Sequence, residues 1–488
     1  MSADRGNIVI IQCDSMDGRA MGCMGHPAMG RATPHLDALA AGGVHCRQTY
    51  SNNAICVPSR ASTWSGQYTH RCGGWNNFKG LEAGTPTFQT RLQEAGYLTT
   101  TFGKTDYLSG EHTARARVTA WTRSAPIDRP GMSDYRPYST PDREPRLRTH
   151  DWEDVESSIR WLGEAKSAGR PFMLYLGIRA PHPGFRTNQH YLERIDADRI
   201  PIPPPDQYDH PMMRYTRRHK NWLFGHEPDM VRLTRQIYYA MICEVDAMVG
   251  RLLEGMKGLG LGASNTCIVF TSDHGEMAHE HRQCHKMTLY EPAVRVPLIV
   301  AGPDMPAGLA VDELVSLVDL YPTLMDWAGR PQPAGLDGQS LSPLLRGDRE
   351  PRPEGVLAEY HDCACSTGSF MLRRGDWKYI AYVGAPPMLF NLREDPWEVC
   401  NLAPQRPDVA AEMDAALRQR VDCEKIDAAI KAHDKASFRA WREQQLAAGT
   451  YHELMSRIFS GWDVPEKIVP WSAEDEAKVE HWLAENPQ

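Results

Sequence analysis

Short apolar runs alternate along the chain with longer segments in which apolar residues recur at helical spacing. Asn7–Cys13 and Thr266–Ser272 are rich in β-branched residues and end in polar and acidic ones, which is typical of strands buried in a parallel sheet. In Asp229–Met256 apolar residues recur every three or four positions, which predicts a long amphipathic helix. Strands that alternate with helices in this way indicate an α/β protein.

The same two patterns continue as far as residue 350. They predict further strands over 43–49, 97–102, 171–178 and 296–301, and further helices over 33–40, 87–94, 151–167 and 316–328. Two polar stretches, 115–150 and 186–230, are rich in proline, and we expect them to be irregular surface segments. Within the second stretch we expect the basic run 217–220 to be a solvated loop.

The pattern changes after the charged, proline-containing stretch 346–354. Beyond it, short apolar segments separated by turns predict antiparallel strands over 356–360, 370–374, 377–382 and 388–392. Residues 407–448 are mostly helical in pattern. We therefore predict a large α/β domain over residues 1–350 and a smaller α+β subdomain with a helical tail over 351–488.

Composition limits the classes of function. The chain has 488 residues and a formal net charge of −8, which argues against a nucleic-acid-binding surface. The N-terminal apolar run Ile8–Ile11 is too short for a signal peptide, and no other run is long enough to span a membrane. Twelve cysteines without regular spacing indicate reduced thiols. We expect a cytoplasmic protein without membrane or nucleic-acid partners, and the composition leaves a homo-oligomer open.

Acidic and imidazole side chains follow two of the predicted strands. Asp14 comes directly after the first strand, and Asp273 and His274 come directly after Thr266–Ser272. Because the carboxyl ends of parallel strands meet at one edge of a sheet, these donors can converge on one divalent cation. A turn or helix-cap role is the simpler alternative for Asp14.

Two further strand ends carry groups that suit an anionic ligand. Lys104 follows the strand 97–102 and offers a point charge, with Asp106 two residues later. His182 lies between two prolines after the strand 171–178. Three histidines in 279–285 fit no common zinc motif.

The segment Cys56-Val57-Pro58-Ser59-Arg60 has the pattern of a loop that enters a helix, because proline suits a first helical turn. Cys56 would then lie at a helix N-terminus, where the dipole favours a bound anion and Arg60 adds a cation. A buried free thiol beside a helix cap is the alternative.

This C-x-P-S-R segment resembles the modification signature of the sulfatase family, in which a dedicated enzyme oxidises the cysteine to formylglycine. Further patches resemble the arylsulfatase K branch of that family and span most of the chain, namely 13–19, 75–81, 103–107, 116–123, 280–283 and 377–382. Many sulfatases have a second aspartate where this chain has Ser15, and a histidine where it has Asp106; that branch shares both differences.

The resemblance implies an alkaline phosphatase/sulfatase-like fold with a mixed central sheet flanked by helices and a smaller C-terminal antiparallel sheet. It implies one divalent cation, usually Ca²⁺ with Mn²⁺ or Mg²⁺ as alternatives. The implied metal ligands are Asp14, Cys56, Asp273 and His274. The implied catalytic residues are Cys56, Arg60, Lys104, Asp106, His182 and Lys286.

The resemblance also implies hydrolysis of a small sulfate ester, and the branch acts on 2-O-sulfated glucuronate. A formylglycine-generating enzyme would be the maturation partner. We expect Asn77 to contact the substrate and Arg282, with His361, to bind the uronate carboxylate. One alternative is a phosphonate monoester or phosphodiester hydrolase of the same superfamily. Another is a non-catalytic binder of sulfated sugars, if Cys56 is unmodified.

Overall fold

A computed structural model describes residues 6–110, 113–127, 137–220, 227–349, 351–352, 354–460 and 469–485. The strands are β1 (Asn7–Cys13), β2 (Val44–Tyr50), β3 (Leu98–Gly103), β4 (Tyr138–Thr140), β5 (Phe172–Gly177), β6 (Arg186–Asn188), β7 (Thr266–Ser272), β8 (Arg295–Val296), β9 (Leu298–Ala301), β10 (Leu309–Ser316), β11 (Val356–Tyr360), β12 (Ser369–Arg374), β13 (Trp377–Tyr382) and β14 (Ala385–Asn391).

The helices of the first 350 residues are α1 (Pro34–Ala41), α2 (Cys56–Ser65), α3 (Thr69–Cys72), α4 (Phe88–Glu94), α5 (Ala114–Trp121), α6 (Thr149–Ser167), α7 (Gln189–Leu192), α8 (Pro211–Lys220), α9 (Pro228–Gly258), α10 (Glu291–Val294), α11 (Leu320–Trp327) and α12 (Ser342–Arg346). The later helices are α13 (Pro407–Arg418), α14 (Cys423–Ala447), α15 (Tyr451–Phe459) and α16 (Ala473–Ala484). Among the described residues, no helix combines the length and the apolar character that a bilayer crossing requires.

The central sheet has the order β10–β2–β9–β7–β1–β5–β3, with β8 beside β2. Strand β1 pairs in parallel with both β5 and β7, as its continuous apolar run predicts. Strand β9 runs antiparallel to β7 and to β2, so the sheet is mixed. The α/β prediction and the mixed sheet are both confirmed.

Successive side chains of β1 enter two separate cores, because strand residues point alternately to opposite faces. Val9 and Ile11 pack in the core that α1, α6 and α9 share. Ile8 and Ile10 pack in the core that contains α2, α4, α11 and α12. The sheet is therefore covered on both faces, and the strand ends are left for polar loops.

The second sheet is antiparallel, with the order β11–β12–β13–β14. Phe370 and Leu372 face helix α13. Met371 and Ile380 point to the other side, where they pack with Tyr290 of the large domain. The smaller sheet is thus enclosed between its own helix and the large domain, and the boundary near residue 350 stays a prediction.

The two proline-rich stretches contain more regular structure than expected. Helix α5 occupies the start of the stretch 115–150, and its Trp121 is buried with Phe438 of α14; the part of this stretch over 128–136 lies outside the described residues. The basic run 217–220 ends helix α8 rather than forming a loop, and Arg217 forms an ion pair with Asp206. For α5, contacts with a distant segment stabilise a helix whose own pattern is weak.

Candidate active site

The ends of β1 and β7 bring the predicted metal ligands together. Cys13 is paired with Ser272, so the residues that follow each strand are neighbours. Asp14, Asp273 and His274 are fully buried, and a ligand atom from each lies within 4.8 Å of the others and of Cys56 Sγ. Cys56 Sγ is 3.2 Å from His274 Nε2 and 3.7 Å from Asp14 Oδ2.

Cys56 is the first residue of α2, as the C-x-P-S-R pattern predicts. No side chain of the preceding residue caps this helix; instead Val57 donates its backbone N–H to Asn77 Oδ1 at 3.1 Å. Asp362 Oδ2 in turn accepts the N–H of Asn77 at 2.7 Å. A residue of the C-terminal region therefore fixes the residue that caps the helix beside Cys56.

Arg60 is fully buried one turn after Cys56. Its Nε donates to Asp273 Oδ2 at 2.8 Å, and its Nη1 donates to the Tyr175 hydroxyl at 2.8 Å and to the Lys104 carbonyl at 2.9 Å. The last two bonds fix the guanidinium and the first holds Asp273, so Arg60 orients one of the candidate metal ligands.

Two lysines surround the Asp14 carboxylate. Lys104 Nζ lies 2.5 Å from Asp14 Oδ2 and 3.2 Å from Asp106 Oδ2. Lys286 Nζ lies 3.5 Å from Ser15 Oγ, which donates to Asp14 Oδ1 at 2.9 Å. Burial opposes ionisation of Asp14, but nearby positive charges, of which Lys104 has the largest effect, hold its pKa well below the usual value.

The same charges act on the thiol. Burial and the Asp14 carboxylate oppose ionisation of Cys56, but Lys104, Lys286 and His274 outweigh them, and the pKa of the thiol lies well below its usual value. The site therefore stabilises a negative charge at the position of Sγ.

The donor set fits a divalent cation. His274 Nδ1 is 3.0 Å from the Gly275 carbonyl oxygen, which can only accept a hydrogen bond. Nδ1 therefore carries a proton, and Nε2 faces the cluster, where the neutral form of the imidazole offers its lone pair to a metal ion. Together with two carboxylates and the side chain at position 56, this imidazole forms a buried group of donors of the kind that holds a metal ion.

A cleft of about 850 Å³ opens onto Asp14, Lys104, Asp106 and His182. The cleft is also lined by residues that the sequence did not mark as candidates, among them Arg148, Thr149, His150, Asp151 and Arg179. Arg179 Nη1 binds Asp151 and Asp154 at 3.1 and 2.8 Å. A signal for Arg179 did exist, since it comes directly before Ala180-Pro181-His182 at the end of β5.

The predicted substrate contacts have different positions. Asn77 lies beside Cys56, as described above, and Arg282 is exposed in the loop that also carries Lys286. His361 is fully buried, with its Nε2 2.9 Å from Glu359 Oε2. Because it has no exposed surface, the structure does not favour a direct contact between His361 and a substrate.

The loop that carries Lys286 has an unusual backbone. Six residues other than glycine between 278 and 287 have a positive φ, namely Ala278, His279, His281, Arg282, His285 and Met287. Buried Glu276 accepts the backbone N–H groups of Ala278 and His285, and burial raises the pKa of Glu276 to about 7. Clusters of such strained residues are typical of functional sites.

Comparison with known proteins agrees with this geometry. The family model described as sulfatase matches residues 6–330, and that described as N-sulphoglucosamine sulphohydrolase, C-terminal, matches residues 279–425. Arylsulfatase K of Danio rerio is 35% identical over 99% of this chain and 95% of its own length. Arylsulfatase K of Homo sapiens is 36% identical over 91% of this chain and 87% of its own length.

Solved structures share the fold. A phosphonate monoester hydrolase of Agrobacterium radiobacter is 25% identical and superposes with a TM-score of 0.68 over 85% of this chain and 96% of its own. A 2-O GAG sulfatase, 24% identical, superposes with a TM-score of 0.68 over 89% of this chain and 94% of its own. The family match over residues 6–330, with relatives of about the same length, shows that this chain belongs to the sulfatase family of sulfuric ester hydrolases.

Proposed function

We propose that the chain removes the sulfate group from a small sugar, with 2-O-sulfated glucuronate as the substrate class. The observation that carries the proposal is the position of Cys56, which is buried at a helix N-terminus between two lysines and three candidate metal ligands. The relatives named arylsulfatase K and the neighbouring 2-O GAG sulfatase support this substrate class.

Cys56 is, in this proposal, converted by a formylglycine-generating enzyme, and the hydrated aldehyde supplies the hydroxyl that attacks sulfur. Asp14, Asp273, His274 and the side chain at position 56 would hold a divalent cation, with Ca²⁺ our first expectation; when bound, it would polarise that hydroxyl and a sulfate oxygen. Arg60 contributes by holding Asp273.

Lys104 and Lys286 would bind the sulfate oxygens. The ammonium group of Lys104 contacts the Asp14 carboxylate, and that of Lys286 lies near the Ser15 hydroxyl. The side chain of Lys104 is 14% exposed and lines the cleft. Attack on sulfur increases the negative charge on the remaining oxygens, so fixed ammonium groups stabilise the transition state more than the free ester.

His182 and Asp106 would move the protons. Both line the cleft next to Lys104, and His182 is half-buried at the end of β5. His182 would give a proton to the departing sugar oxygen, and Asp106 would take the proton from the second hydroxyl of the hydrate, which expels sulfate. Asp106 replaces the histidine of many sulfatases, and its Oδ2 lies 3.2 Å from Lys104 Nζ.

A substrate screen tests this proposal. Monosaccharides sulfated at the 2- or 3-position, each with a carboxylate or a hydroxymethyl group on C5, and a 6-sulfated hexose are compared by kcat/KM. We expect the 2-sulfated uronate to be the best substrate. We expect Arg282→Ala to lower kcat/KM only for substrates with the carboxylate, because the exposed guanidinium would bind that group. Equal losses on both substrate classes would reject this role of Arg282.

Hydrolysis of phosphonate monoesters is the second candidate, because one of the solved structures with this fold is such an enzyme. Rates on matched phenyl sulfate and phenyl phosphonate esters separate the two candidates. A chain that keeps Cys56 entirely as a free thiol when it is expressed with a formylglycine-generating enzyme, and that binds sulfated sugars without turnover, would indicate a non-catalytic binder instead.

A further inference from the structure

Before its conversion, Cys56 adds a sulfur donor to the cluster. Its Sγ is 3.2 Å from His274 Nε2 and 3.8 Å from Asp14 Oδ1. His274 Nε2 is also 3.7 Å from Asp14 Oδ1 and 3.7 Å from Asp273 Oδ1. Four donors from four residues, one sulfur, one nitrogen and two oxygens, therefore surround one buried point.

These distances match four of the six edges of a small tetrahedron. With metal–sulfur and metal–nitrogen bonds of about 2.3 and 2.0 Å, a tetrahedral zinc site places its donor atoms roughly 3.3–3.6 Å apart. The four measured separations lie within about 0.4 Å of that range. Lys104 Nζ donates its hydrogen bond to Oδ2 of Asp14. The other oxygen of this carboxylate, Oδ1, faces His274 and is the one that would bind the metal ion.

Calcium requires a different donor set. It takes six to eight oxygen ligands at about 2.3–2.6 Å and has little affinity for thiolate sulfur. In the unmodified chain the cluster offers oxygen only from Asp14 and Asp273. Conversion of the thiol to an aldehyde hydrate would replace the sulfur with oxygen, and a sulfate ester would add more.

We infer that the chemistry at position 56 selects the metal: the unmodified chain is a tetrahedral zinc site formed by Asp14, Cys56, Asp273 and His274, and conversion of Cys56 changes the preference to calcium. Zinc binding forms a metal–sulfur bond and releases the thiol proton to solvent. This inference deepens the proposed function, because it concerns the same residue before conversion. It predicts that unmodified molecules carry zinc and are inactive.

The test uses the full chain, purified from a host without the modifying enzyme and confirmed by peptide mass to carry a free thiol at Cys56. Co²⁺ serves as the spectroscopic probe. We expect a thiolate-to-cobalt charge-transfer band and the visible absorption of tetrahedral cobalt, both removed by one equivalent of Zn²⁺ and unaffected by excess Ca²⁺. Zinc-edge X-ray absorption of the same chain should show one sulfur neighbour at about 2.3 Å.

Two variants provide the controls. Cys56→Ser keeps the size of the side chain but should lose the charge-transfer band and lower the affinity for Zn²⁺ more than about tenfold, with little change for Ca²⁺. Cys46→Ser, which alters another buried cysteine in β2, should keep the band. A wild-type chain without a sulfur neighbour, or a band that survives in Cys56→Ser, would overturn the inference. Sulfatase activity of a converted preparation is measured separately, so failure of the proposed function is distinguishable.

Discussion

Replacement of Lys104 by methionine removes one positive charge and keeps the length of the side chain. In the structure Nζ lies 2.5 Å from Asp14 Oδ2 and faces the cleft that His182 also lines. A sulfate oxygen bound in this cleft would approach the ammonium group directly. Lys104→Met therefore tests whether a fixed charge at this point stabilises the reaction.

The size of the effect follows from the distance. Two unit charges about 4 Å apart interact by about 4 kcal/mol at an effective dielectric constant of about 20. If most of this interaction develops in the transition state, kcat/KM should fall by about a thousandfold. Loss of the neighbouring cation should also raise the pKa of Asp14 toward its usual value.

The assay compares kcat/KM for an aryl sulfate between wild-type chain and Lys104→Met, both with the same converted fraction of Cys56. Lys257→Met, on an exposed position of α9, is the matched control and should retain full activity. Thermal unfolding of both variants shows whether the fold is intact. A folded Lys104→Met with less than about a tenfold loss would refute the electrostatic argument.

Three other changes have defined outcomes. His182→Gln should lower kcat/KM about 10²–10⁴-fold for sugar sulfates but much less for nitrophenyl sulfate, whose leaving group needs no proton; equal losses would exclude general acid catalysis. Asp362→Ala leaves the N–H of Asn77 unpaired, so kcat should fall about tenfold with an unchanged circular dichroism spectrum, and an unchanged kcat would reject this positioning role. Burial opposes ionisation of Glu359, but His70 and His361 lower its pKa from 4.5 to about 2. Its ionised form therefore contributes about 3 kcal/mol of stability above pH 4.5, lost as the pH falls toward 2. Urea denaturation should show Glu359→Gln less stable by about that amount at neutral pH and by less than half of it, about 1.4 kcal/mol, at about pH 3; a constant difference would contradict the linkage.

The centre of the sheet and the metal ligands could be predicted because one physical constraint determines both. A continuous apolar run must be buried on both faces, and parallel strands end at a common edge. Asp14 and Asp273 follow two such runs, and the structure places them together through the pairing of Cys13 with Ser272. The N-terminal position of Cys56 followed from Pro58, which suits only the first turn of a helix.

Other parts of the site depend on contacts that no local pattern encodes. Arg148 and His150 reach the cleft because α6 begins there, and their own sequence gives no sign of it. The loop around Lys286 has positive φ values without any glycine, so the usual signal for such a backbone is missing. His361 was expected at the cleft, but Glu359 and the second sheet bury it. In each case tertiary packing determines the position.

The most direct test of the central claim relates the state of Cys56 to turnover in one preparation. Expression with increasing amounts of a formylglycine-generating enzyme gives a series of samples, in which peptide mass reports the converted fraction at position 56. We predict that the initial rate on an aryl sulfate rises in proportion to that fraction and extrapolates to zero for the free thiol. A rate that does not depend on the converted fraction, or full activity of Cys56→Ala, would contradict the account.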